Sequence, residues 1–319
     1  MRILFIGSGE FALPTLHGLV DRGYEVPLIV TQPAKPSGRG QRTKATPVGD
    51  LAEELGIELI EPVDVNAPDI VSRIKSLDAR LGVVVAFGQK LRPDVLQATP
   101  GGCVNLHASL LPALRGAAPI HWAIVRGAVR TGCTVFRVVE RMDAGPILAK
   151  RETEIDPQET TGVLHDRLAK LGVEAVQEAI SQFEGGEIPS GTPQDDAMAT
   201  SAPKLKKADG FIHFDRPTRE VFDRIRGMTP WPGAAAQYES DDGRWEKITI
   251  TRARVVENAS PFELPGTLDE QLQVTTNDGV IEIVELKPSS GRVMDWRDYV
   301  NGRHVSAGDR LTAPSREKR

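Results

Sequence analysis

Short apolar runs alternate with segments of helical periodicity along the first half of the chain. The apolar runs are too short for helices, and they predict buried strands at Ile3–Ile6, Val26–Val30, Gly82–Ala86 and Thr134–Val139. Helical patterns occur at Phe11–Val20, Val48–Leu55 and Ile70–Leu77, with a further short strand at Leu59–Ile60. Because strands that alternate with helices build a parallel sheet covered on both faces, the pattern predicts an α/β domain with a Rossmann-like parallel sheet.

The pattern changes in the second half of the chain. An amphipathic helix is predicted from Val163 to Phe183, and Gly185-Gly186 would end it. After a further helix at Glu220–Gly227, apolar and polar residues alternate in three short runs, which are Lys247–Thr251, Leu272–Thr275 and Val280–Val284. Alternation with a period of two indicates half-buried strands, and short strands separated by turns predict a small antiparallel barrel of the OB type.

A polar segment rich in Pro, Ser, Thr, Asp and Lys separates the two patterns. It predicts an interdomain linker over residues 190–206. The predicted organisation is therefore an α/β domain over 1–189, the linker, a C-terminal barrel over 207–312 and a disordered tail over 313–319.

Composition limits the function classes. The 319 residues are 40% hydrophobic and 26% charged, which is typical of a soluble globular protein. The net charge of −5 does not indicate nucleic-acid binding by the surface as a whole. The first apolar run reaches Gly7 too soon for a signal peptide, and no run approaches the roughly 18 residues of a membrane span. These features predict a cytoplasmic protein without membrane contact, with Cys103 and Cys133 reduced and packed. Nothing in the pattern requires more than a monomer.

Two polar side chains of complementary chemistry stand two residues apart in Val104–His107. If this segment is extended, Asn105 and His107 point to the same face, since side chains alternate across a strand. A neutral amide donor beside an imidazole suits a reaction in which a carbonyl becomes a tetrahedral oxyanion while an amine loses a proton. Asn and His near a strand end can equally cap a turn.

Two turns further along the chain favour a catalytic role for Asn105 and His107 over a turn cap. Arg115–Pro119 is a turn of small residues before an apolar pattern that begins at Ile120, and Met142–Pro146 places Asp143 in a glycine turn. An aspartate in a turn normally caps local backbone N–H groups. Here its carboxylate would also be able to orient or deprotonate His107.

Three motifs carry a specific resemblance. The run Asn105–Pro112 (Asn-Leu-His-Ala-Ser-Leu-Leu-Pro), the turn Arg115–Pro119 (Arg-Gly-Ala-Ala-Pro) and Met142–Gly145 (Met-Asp-Ala-Gly) resemble the formyltransferase superfamily that uses 10-formyltetrahydrofolate. The resemblance runs from Ile3 to about Leu311. It implies a one-carbon transferase that takes 10-formyltetrahydrofolate as formyl donor and needs no metal. The length and the C-terminal content direct it to members that formylate the α-amino group of methionyl initiator tRNA for translation initiation.

The resemblance implies roles for individual residues. Asn105 would donate a hydrogen bond to the oxyanion, helped by protonated His107. Asp143 would hold His107 in the right tautomer and relay the ammonium proton to N10 of the folate. The folate would lie against the backbone of two segments, and the implied folate-binding residues are Phe87, Gly88, Gln89, Ser109, Leu110, Leu111 and Pro112. The chain departs from its relatives at Ala113-Leu114, where a basic and an aromatic residue are common, a change that would weaken a substrate contact there.

A local basic loop lies at Pro33–Pro47. It contains Lys35, Arg39, Arg42 and Lys44 and no acidic residue. The composition fits a solvated surface loop, whereas the resemblance implies a clamp on tRNA phosphates that enters the acceptor stem with Arg39 as the wedge. Five C-terminal arginines are further candidates for tRNA contact, and each fits a solvated face equally well: Arg252, Arg254, Arg292, Arg297 and Arg303.

Other function classes remain as alternatives. The segment Gly7–Ala12 matches a G-x-G-x-x-A fingerprint, but the second strand ends in Thr31-Gln32-Pro33, without the acid that binds a ribose, which counts against a dehydrogenase. The histidine and cysteine spacings contain no zinc motif. A different amine acceptor, such as an amino sugar nucleotide or glycinamide ribonucleotide, a formate-releasing hydrolase and a non-catalytic tRNA-binding protein complete the alternatives. The basic loop and the barrel favour tRNA as the acceptor.

Overall fold

The computed structural model describes residues 1–37 and 42–314, which group into two compact units. The first unit consists of Met1–Pro119, Arg130–Thr153 and His165–Ala202. The second consists of Ile120–Val129, Glu154–Leu164 and the described residues from Pro203 onward. Two segments from the first half of the chain thus belong to the second unit. The predicted boundaries at 189, 206 and 312 stay predictions, and most of the predicted tail lies outside the described residues.

A seven-stranded sheet forms the centre of the first unit. The strands of this unit are β1 (Arg2–Gly7), β2 (Glu25–Val30), β3 (Lys35–Ser37), β4 (Arg42–Lys44), β5 (Leu59–Ile60), β6 (Leu81–Val85), β7 (Cys103–His107), β8 (Arg130–Arg137) and β9 (Ile147–Glu154). The sheet order is β5-β2-β1-β6-β7-β8-β9, and β3 pairs with β4 as a separate hairpin. The five strands from β5 to β7 are parallel, whereas β8 runs antiparallel to β7.

Prolines mark the beginnings of most helices in this part of the chain. The helices are α1 (Leu13–Asp21), α2 (Pro47–Leu55), α3 (Pro68–Lys75), α4 (Pro93–Leu96), α5 (Pro119–Val125) and α6 (Thr161–Ser181). Proline suits the first position because its missing N–H has no partner there in any case. Helix α2 is also capped at both ends, by the Thr46 hydroxyl and by Gly56 at φ 64°. No helix among the described residues is long and apolar enough to cross a bilayer.

The sequence pattern located most elements of the first unit. The predicted strands fall on β1, β2, β5, β6 and β8, and the predicted helices fall on α1, α2, α3 and α6. Strand β9 was not predicted, because only its first three residues, Ile147–Ala149, are apolar and the remaining five are all polar. Helix α4 was not predicted because its four residues are too few to show a period.

The second unit contains an antiparallel, nearly closed barrel. Its strands are β10 (Ala234–Glu239), β11 (Trp245–Val255), β12 (Val274–Thr275), β13 (Val280–Pro288), β14 (Met294–Asp295) and β15 (Arg310–Thr312). The order is β12-β13-β11-β10-β15, with β14 also paired to β13. The segment Thr267-Leu268 lies between the two edge strands and makes one bridge to each, from Thr267 to Arg310 of β15 and from Leu268 to Val274 of β12, so the barrel is nearly closed. The predicted fold class, a parallel α/β domain followed by a small barrel, is confirmed.

Two helices accompany the barrel, α7 (Thr218–Gly227) and α8 (Trp296–Arg303). Helix α7 begins close to its predicted position, whereas α8 was not predicted. The predicted strand at Leu272–Thr275 is shorter than expected, because Leu272 adopts a left-handed φ of 58° and the strand begins at Val274. The barrel interior is apolar, with Ile250, Ile283 and Leu286 among its buried side chains.

A buried ion pair on α7 holds the second unit together. Asp223 Oδ1 lies 2.7 Å from Arg226 Nε, and both side chains are about as buried as the apolar core, at 3% and 4% exposure. The same guanidinium donates to the backbone carbonyl of Glu159 at 3.2 Å. The arginine therefore ties a segment from the first half of the chain to α7.

We expect Asp223→Ala to lower the free energy of unfolding by about 3–5 kcal/mol, because it leaves the Arg226 charge buried and unpaired. Urea denaturation measures the change. Glu285→Ala is the control, since Glu285 pairs with the half-exposed Arg252 at 3.1 Å and its loss should cost below about 1 kcal/mol. Equal effects of the two variants would contradict a structural role for the buried pair.

Candidate active site

Strand β7 places Asn105 and His107 on one face at the carboxyl edge of the sheet. Asn105 is paired with Val84 of β6 and Phe136 of β8, so its position is set from both sides. Its side chain is partly exposed and makes no hydrogen bond with another described residue. The Asn105 amide is therefore free to donate to a bound group.

The His107 ring is buried and held by a backbone carbonyl. It is 7% exposed, and Nε2 lies 2.9 Å from the carbonyl oxygen of Leu114. A carbonyl can only accept, so Nε2 carries a proton and Nδ1 is unprotonated in the neutral ring. Leu114 reaches this position with a φ of 61°, in the left-handed region that a leucine rarely adopts. Leu114 thus has a positioning role through its backbone, although its side chain departs from the family pattern.

Burial lowers the pKa of His107 below its ordinary value of 6.5, while the Asp143 charge and the Leu114 carbonyl act in the opposite direction. Desolvation penalises the imidazolium form, whereas a nearby carboxylate favours it. The neutral ring therefore predominates near pH 7. A proton that reaches Nδ1 would be stabilised by the carboxylate beside it.

Asp143 lies beside His107 and is oriented by the backbone. Its Oδ2 atom is 3.9 Å from His107 Nδ1 and accepts a 2.8 Å hydrogen bond from the Gly116 N–H. The tautomer-fixing hydrogen bond expected from Asp143 is instead made by the Leu114 carbonyl on the other ring nitrogen. Gly116 has a φ of 124°, and a Cβ there would lie 2.5 Å from the Ala202 carbonyl oxygen, so only glycine fits.

Gln194 is a positioning residue that the sequence did not reveal. Its Nε2 atom donates to the carbonyl oxygens of Asp143 and Gly145, both at 2.8 Å, and its Oε1 atom accepts from Arg115 at 2.8 Å. Gln194 therefore joins the Asp143 turn to the turn that contains Gly116. It lies in the segment predicted as a linker, where a polar residue gives no sign of a structural contact.

Asp196 reinforces the same arrangement from the exposed side. Its two carboxylate oxygens accept from Arg115 and Arg141. The hydrogen bonds from Arg115 and Arg141 lower the pKa of Asp196. The carboxylate therefore stays charged and keeps both arginines beside the Asp143 turn.

The first implied folate-binding segment lies at the end of β6. The Phe87 ring is buried, and its carbonyl accepts hydrogen bonds from Ser8 and Gln32. The Gln89 side chain is bound to the backbone of Pro62 and Val65 at 3.1 and 3.0 Å. Gly88 is exposed with a φ of 84°. In this segment it is backbone, rather than the Phe87 and Gln89 side chains, that faces outward.

The second implied folate-binding segment follows β7. The Ser109 hydroxyl donates to the Ala113 carbonyl at 2.6 Å, and Leu111 is fully buried. Lys150 donates to the Leu111 carbonyl at 2.6 Å, and the Leu111–Pro112 peptide is cis. Leu110 and Pro112 are partly exposed.

The basic loop is only partly described. The backbone of Lys35–Ser37 pairs with that of Arg42–Lys44, and Lys35 lies opposite Lys44 in this hairpin. The Lys44 side chain is exposed. Arg39 lies outside the described residues.

The C-terminal arginines do not converge on one contact. Arg252 pairs with Glu285 at 3.1 Å and Arg303 with Glu246 at 3.0 Å. The remaining three candidates are exposed: Arg254, Arg292 and Arg297.

Metal ligands and reactive thiols are not gathered near this site. Among residues 1–37 and 42–314, no group of three His, Cys, Asp or Glu side chains could hold a metal ion. Cys103 and Cys133 are free, and burial raises the pKa of each thiol to about 12. Both thiols are therefore protonated and poorly nucleophilic at neutral pH.

Family models match both parts of the chain. A model described as "Formyl transferase" matches residues 1–180, and one described as "Formyl transferase, C-terminal domain" matches residues 204–304. The fold and the match define the protein as a formyltransferase. The methionyl-tRNA formyltransferase of Geotalea daltonii is 42% identical over 98% of both chains, and that of Ruminiclostridium cellulolyticum is 38% identical over 98% of this chain and 99% of its own. The chain therefore belongs to the methionyl-tRNA formyltransferase family, which confirms the resemblance carried by Asn105–Pro112.

Solved structures share the fold at low identity. HypX from Aquifex aeolicus, solved in complex with tetrahydrofolic acid, matches 94% of this chain with a TM-score of 0.62 and 19% identity. The match covers 47% of HypX, so this chain spans about half the length of that protein. An N-formyltransferase from Helicobacter canadensis, solved with folinic acid and dTDP-3-aminofucose, matches 89% of this chain and 98% of its own, with a TM-score of 0.65 and 13% identity.

We expect NMR titration of carbon-labelled histidine to give His107 a pKa below 6.5. Asp143→Asn should lower this pKa further, because it removes the charge that favours the imidazolium form. Asp166→Asn is the control, since Asp166 is hydrogen-bonded to His165 rather than to His107. A His107 pKa that rises in Asp143→Asn would show that the carboxylate does not act on the ring as the geometry indicates.

Proposed function

We propose that this protein transfers the formyl group of 10-formyltetrahydrofolate to the α-amino group of methionyl initiator tRNA. One observation carries the proposal: the unpaired Asn105 amide stands beside a neutral His107 whose Nδ1 lies 3.9 Å from Asp143 Oδ2. The near full-length likeness to methionyl-tRNA formyltransferases supports tRNA as the acceptor.

The reaction forms a bond between the amine nitrogen and the formyl carbon. The carbonyl electron pair moves to oxygen and gives a tetrahedral oxyanion, and the bond to N10 of the folate then breaks. Asn105 donates a hydrogen bond to that oxygen. A donor fixed in place before the reaction stabilises the developing charge without reorganisation, which favours the transition state over the bound substrate.

The amine must also lose a proton, and N10 must gain one. Neutral His107 accepts the proton at Nδ1, because the Leu114 carbonyl already holds the hydrogen on Nε2. The imidazolium is stabilised by Asp143 and adds positive charge beside the oxyanion. The proton then passes to N10 as the carbon–nitrogen bond breaks.

The donor folate binds against the outward-facing backbone of the two segments at the carboxyl edge. The residues assigned to it are those implied by the sequence: Phe87, Gly88, Gln89, Ser109, Leu110, Leu111 and Pro112. The internal hydrogen bonds of Gln89 and Ser109 support a role in holding these segments in shape, with backbone groups and Leu110 facing the ligand.

The acceptor tRNA binds through the basic loop. Lys35, Arg42 and Lys44 contribute positive charge from the two strands of the hairpin, and Arg39 acts as the wedge at the acceptor stem. The protein works as a monomer in the cytoplasm, where initiator tRNA is used.

The direct test is formyl transfer from 10-formyltetrahydrofolate to methionyl initiator tRNA, with uncharged tRNA and free methionine as controls. The proposal requires formylation of the charged tRNA alone. Consumption of donor without formylated tRNA would mean that the formyl group passes to water as formate, and it would contradict tRNA as the acceptor. A folded protein that leaves the donor untouched would refute the assignment of Asn105, His107 and Asp143.

We expect Asn105→Ala to lower kcat/KM by roughly 10²–10³, the usual cost of losing one oxyanion donor. Single-turnover formylation measures it. The matched control is Asn301→Ala, because Asn301 is exposed on α8. A folded Asn105→Ala enzyme with near wild-type turnover would eliminate the oxyanion role.

We expect Lys44→Gln to weaken tRNA binding and to reduce the slope of log Kd against log salt by about 1, as the loss of one phosphate contact predicts. Tetrahydrofolate affinity without tRNA should stay unchanged. Lys75→Gln, at an exposed lysine of α3, is the control. An unchanged salt slope in Lys44→Gln would argue against a phosphate contact at this residue.

A further inference from the structure

Three hydroxyl groups form a continuous hydrogen-bonded chain in the first unit. Thr46, at the start of α2, accepts from the Gly49 N–H at 3.0 Å, and its Oγ1 lies 2.7 Å from Thr31 Oγ1. Thr31 in turn donates to Ser8 Oγ at 3.1 Å. We name Thr46, Thr31 and Ser8 the hydroxyl chain.

The hydroxyl chain has one direction. The Ser8 hydroxyl donates to the Phe87 carbonyl at 3.5 Å. Each hydroxyl has a single proton to donate, so Thr31 donates to Ser8 and Thr46 donates to Thr31. All three dipoles therefore point towards Phe87, and bonds aligned in this way strengthen one another.

Burial makes these contacts difficult to replace with water. Thr31 is fully buried, and Ser8 is 9% exposed. Loss of the Thr31 hydroxyl would therefore remove both bonds that join Thr46 to Ser8, and its buried position leaves no ready route for water to replace them. The position of each member depends on that of the next.

One end of the hydroxyl chain holds the base of the basic hairpin. Thr31 and Gln32 immediately precede the segment that leads into β3, and Thr46 follows β4 closely. Gln32 is bound to the hydroxyl chain through its backbone N–H, which donates to Ser8 Oγ at 3.0 Å. The chain thus enters the hairpin just after Thr31 and leaves it just before Thr46, so the hydroxyl chain joins the two ends of the hairpin.

The other end holds the turn after β6. Ala86 and Gly88, on either side of Phe87, both have positive φ values, 48° and 84°. A Cβ on Gly88 would lie 2.3 Å from Gln32 Nε2, which itself donates to the Phe87 carbonyl. A backbone in such a conformation persists only where its surroundings impose it, and here Ser8 and Gln32 do so.

We infer that the hydroxyl chain couples the two substrate sites, so that tRNA on the basic hairpin positions the Phe87 turn for the folate. This inference rests on the proposed function. Ser8, Thr31 and Thr46 are positioning residues, since they act through the hairpin and the turn. Coupling between two binding sites is reciprocal, so each ligand raises the affinity for the other by the same factor.

The test is calorimetric titration of the full-length protein with tetrahydrofolate, alone and with saturating methionyl initiator tRNA. Tetrahydrofolate carries no formyl group, so no transfer consumes the complex. We expect tRNA to lower the Kd for tetrahydrofolate about five- to tenfold in the wild-type protein, within the usual range for coupled sites. Thr31→Val keeps the side-chain shape but removes the hydroxyl, and it should reduce this ratio to about one, the value for uncoupled sites.

Controls separate coupling from general damage to the fold. Thr15→Val also removes a buried hydroxyl, but Thr15 Oγ1 has no hydrogen-bond partner among the described residues, so the ratio should stay as in wild type. Thr46→Ser retains the hydroxyl and should retain the ratio. Ser8→Ala interrupts the hydroxyl chain at a second point and should also reduce the ratio to about one. This variant keeps the test decisive if Thr31→Val does not fold.

Two outcomes would overturn the inference alone. One is a wild-type ratio of one with both ligands bound, and the other is a wild-type ratio in folded Thr31→Val or Ser8→Ala. If the wild-type protein binds neither ligand, the proposed function fails and the inference fails with it.

Discussion

The parallel register of β1, β6 and β7 is the constraint on which the site depends. It aligns Gly7 with Val85 and Val84 with Asn105, so the carboxyl ends of three strands meet at one edge of the sheet. Parallel strands require crossover connections, and these bring loops from distant parts of the chain to the same edge. A shift of β7 by one residue would turn Asn105 and His107 to the opposite face, because side chains alternate along a strand.

Two backbone groups orient the side chains of the site. The Leu114 carbonyl selects the His107 tautomer, and the Gly116 N–H orients the Asp143 carboxylate. Both groups belong to one short turn, which Gln194 braces from the segment predicted as a linker. Preorganisation of this kind places the chemical groups before substrate binds, so that binding energy is available for the transition state.

The electrostatic setting follows from burial. A His107 ring in water would be partly protonated near neutral pH, whereas the buried ring is neutral and able to accept a proton. The Asp143 charge opposes this effect and favours the protonated ring. The buried pair of Asp223 and Arg226 uses the same physics for stability, since each charge is tolerated only because the other neutralises it.

The sequence by itself determined the α/β and barrel classes and the positions of most elements, and it identified Asn105, His107 and Asp143 as candidate site residues, because periodicity and short motifs are local properties. The direction of β8, the short helix α8 and the role of Gln194 were decided only by tertiary structure. So were the hydrogen bond from His107 to Leu114 and the chain of Thr46, Thr31 and Ser8. Some of these features join residues far apart in sequence, and others depend on backbone atoms. Since a backbone carbonyl is the same in every residue, no pattern of side chains predicts them.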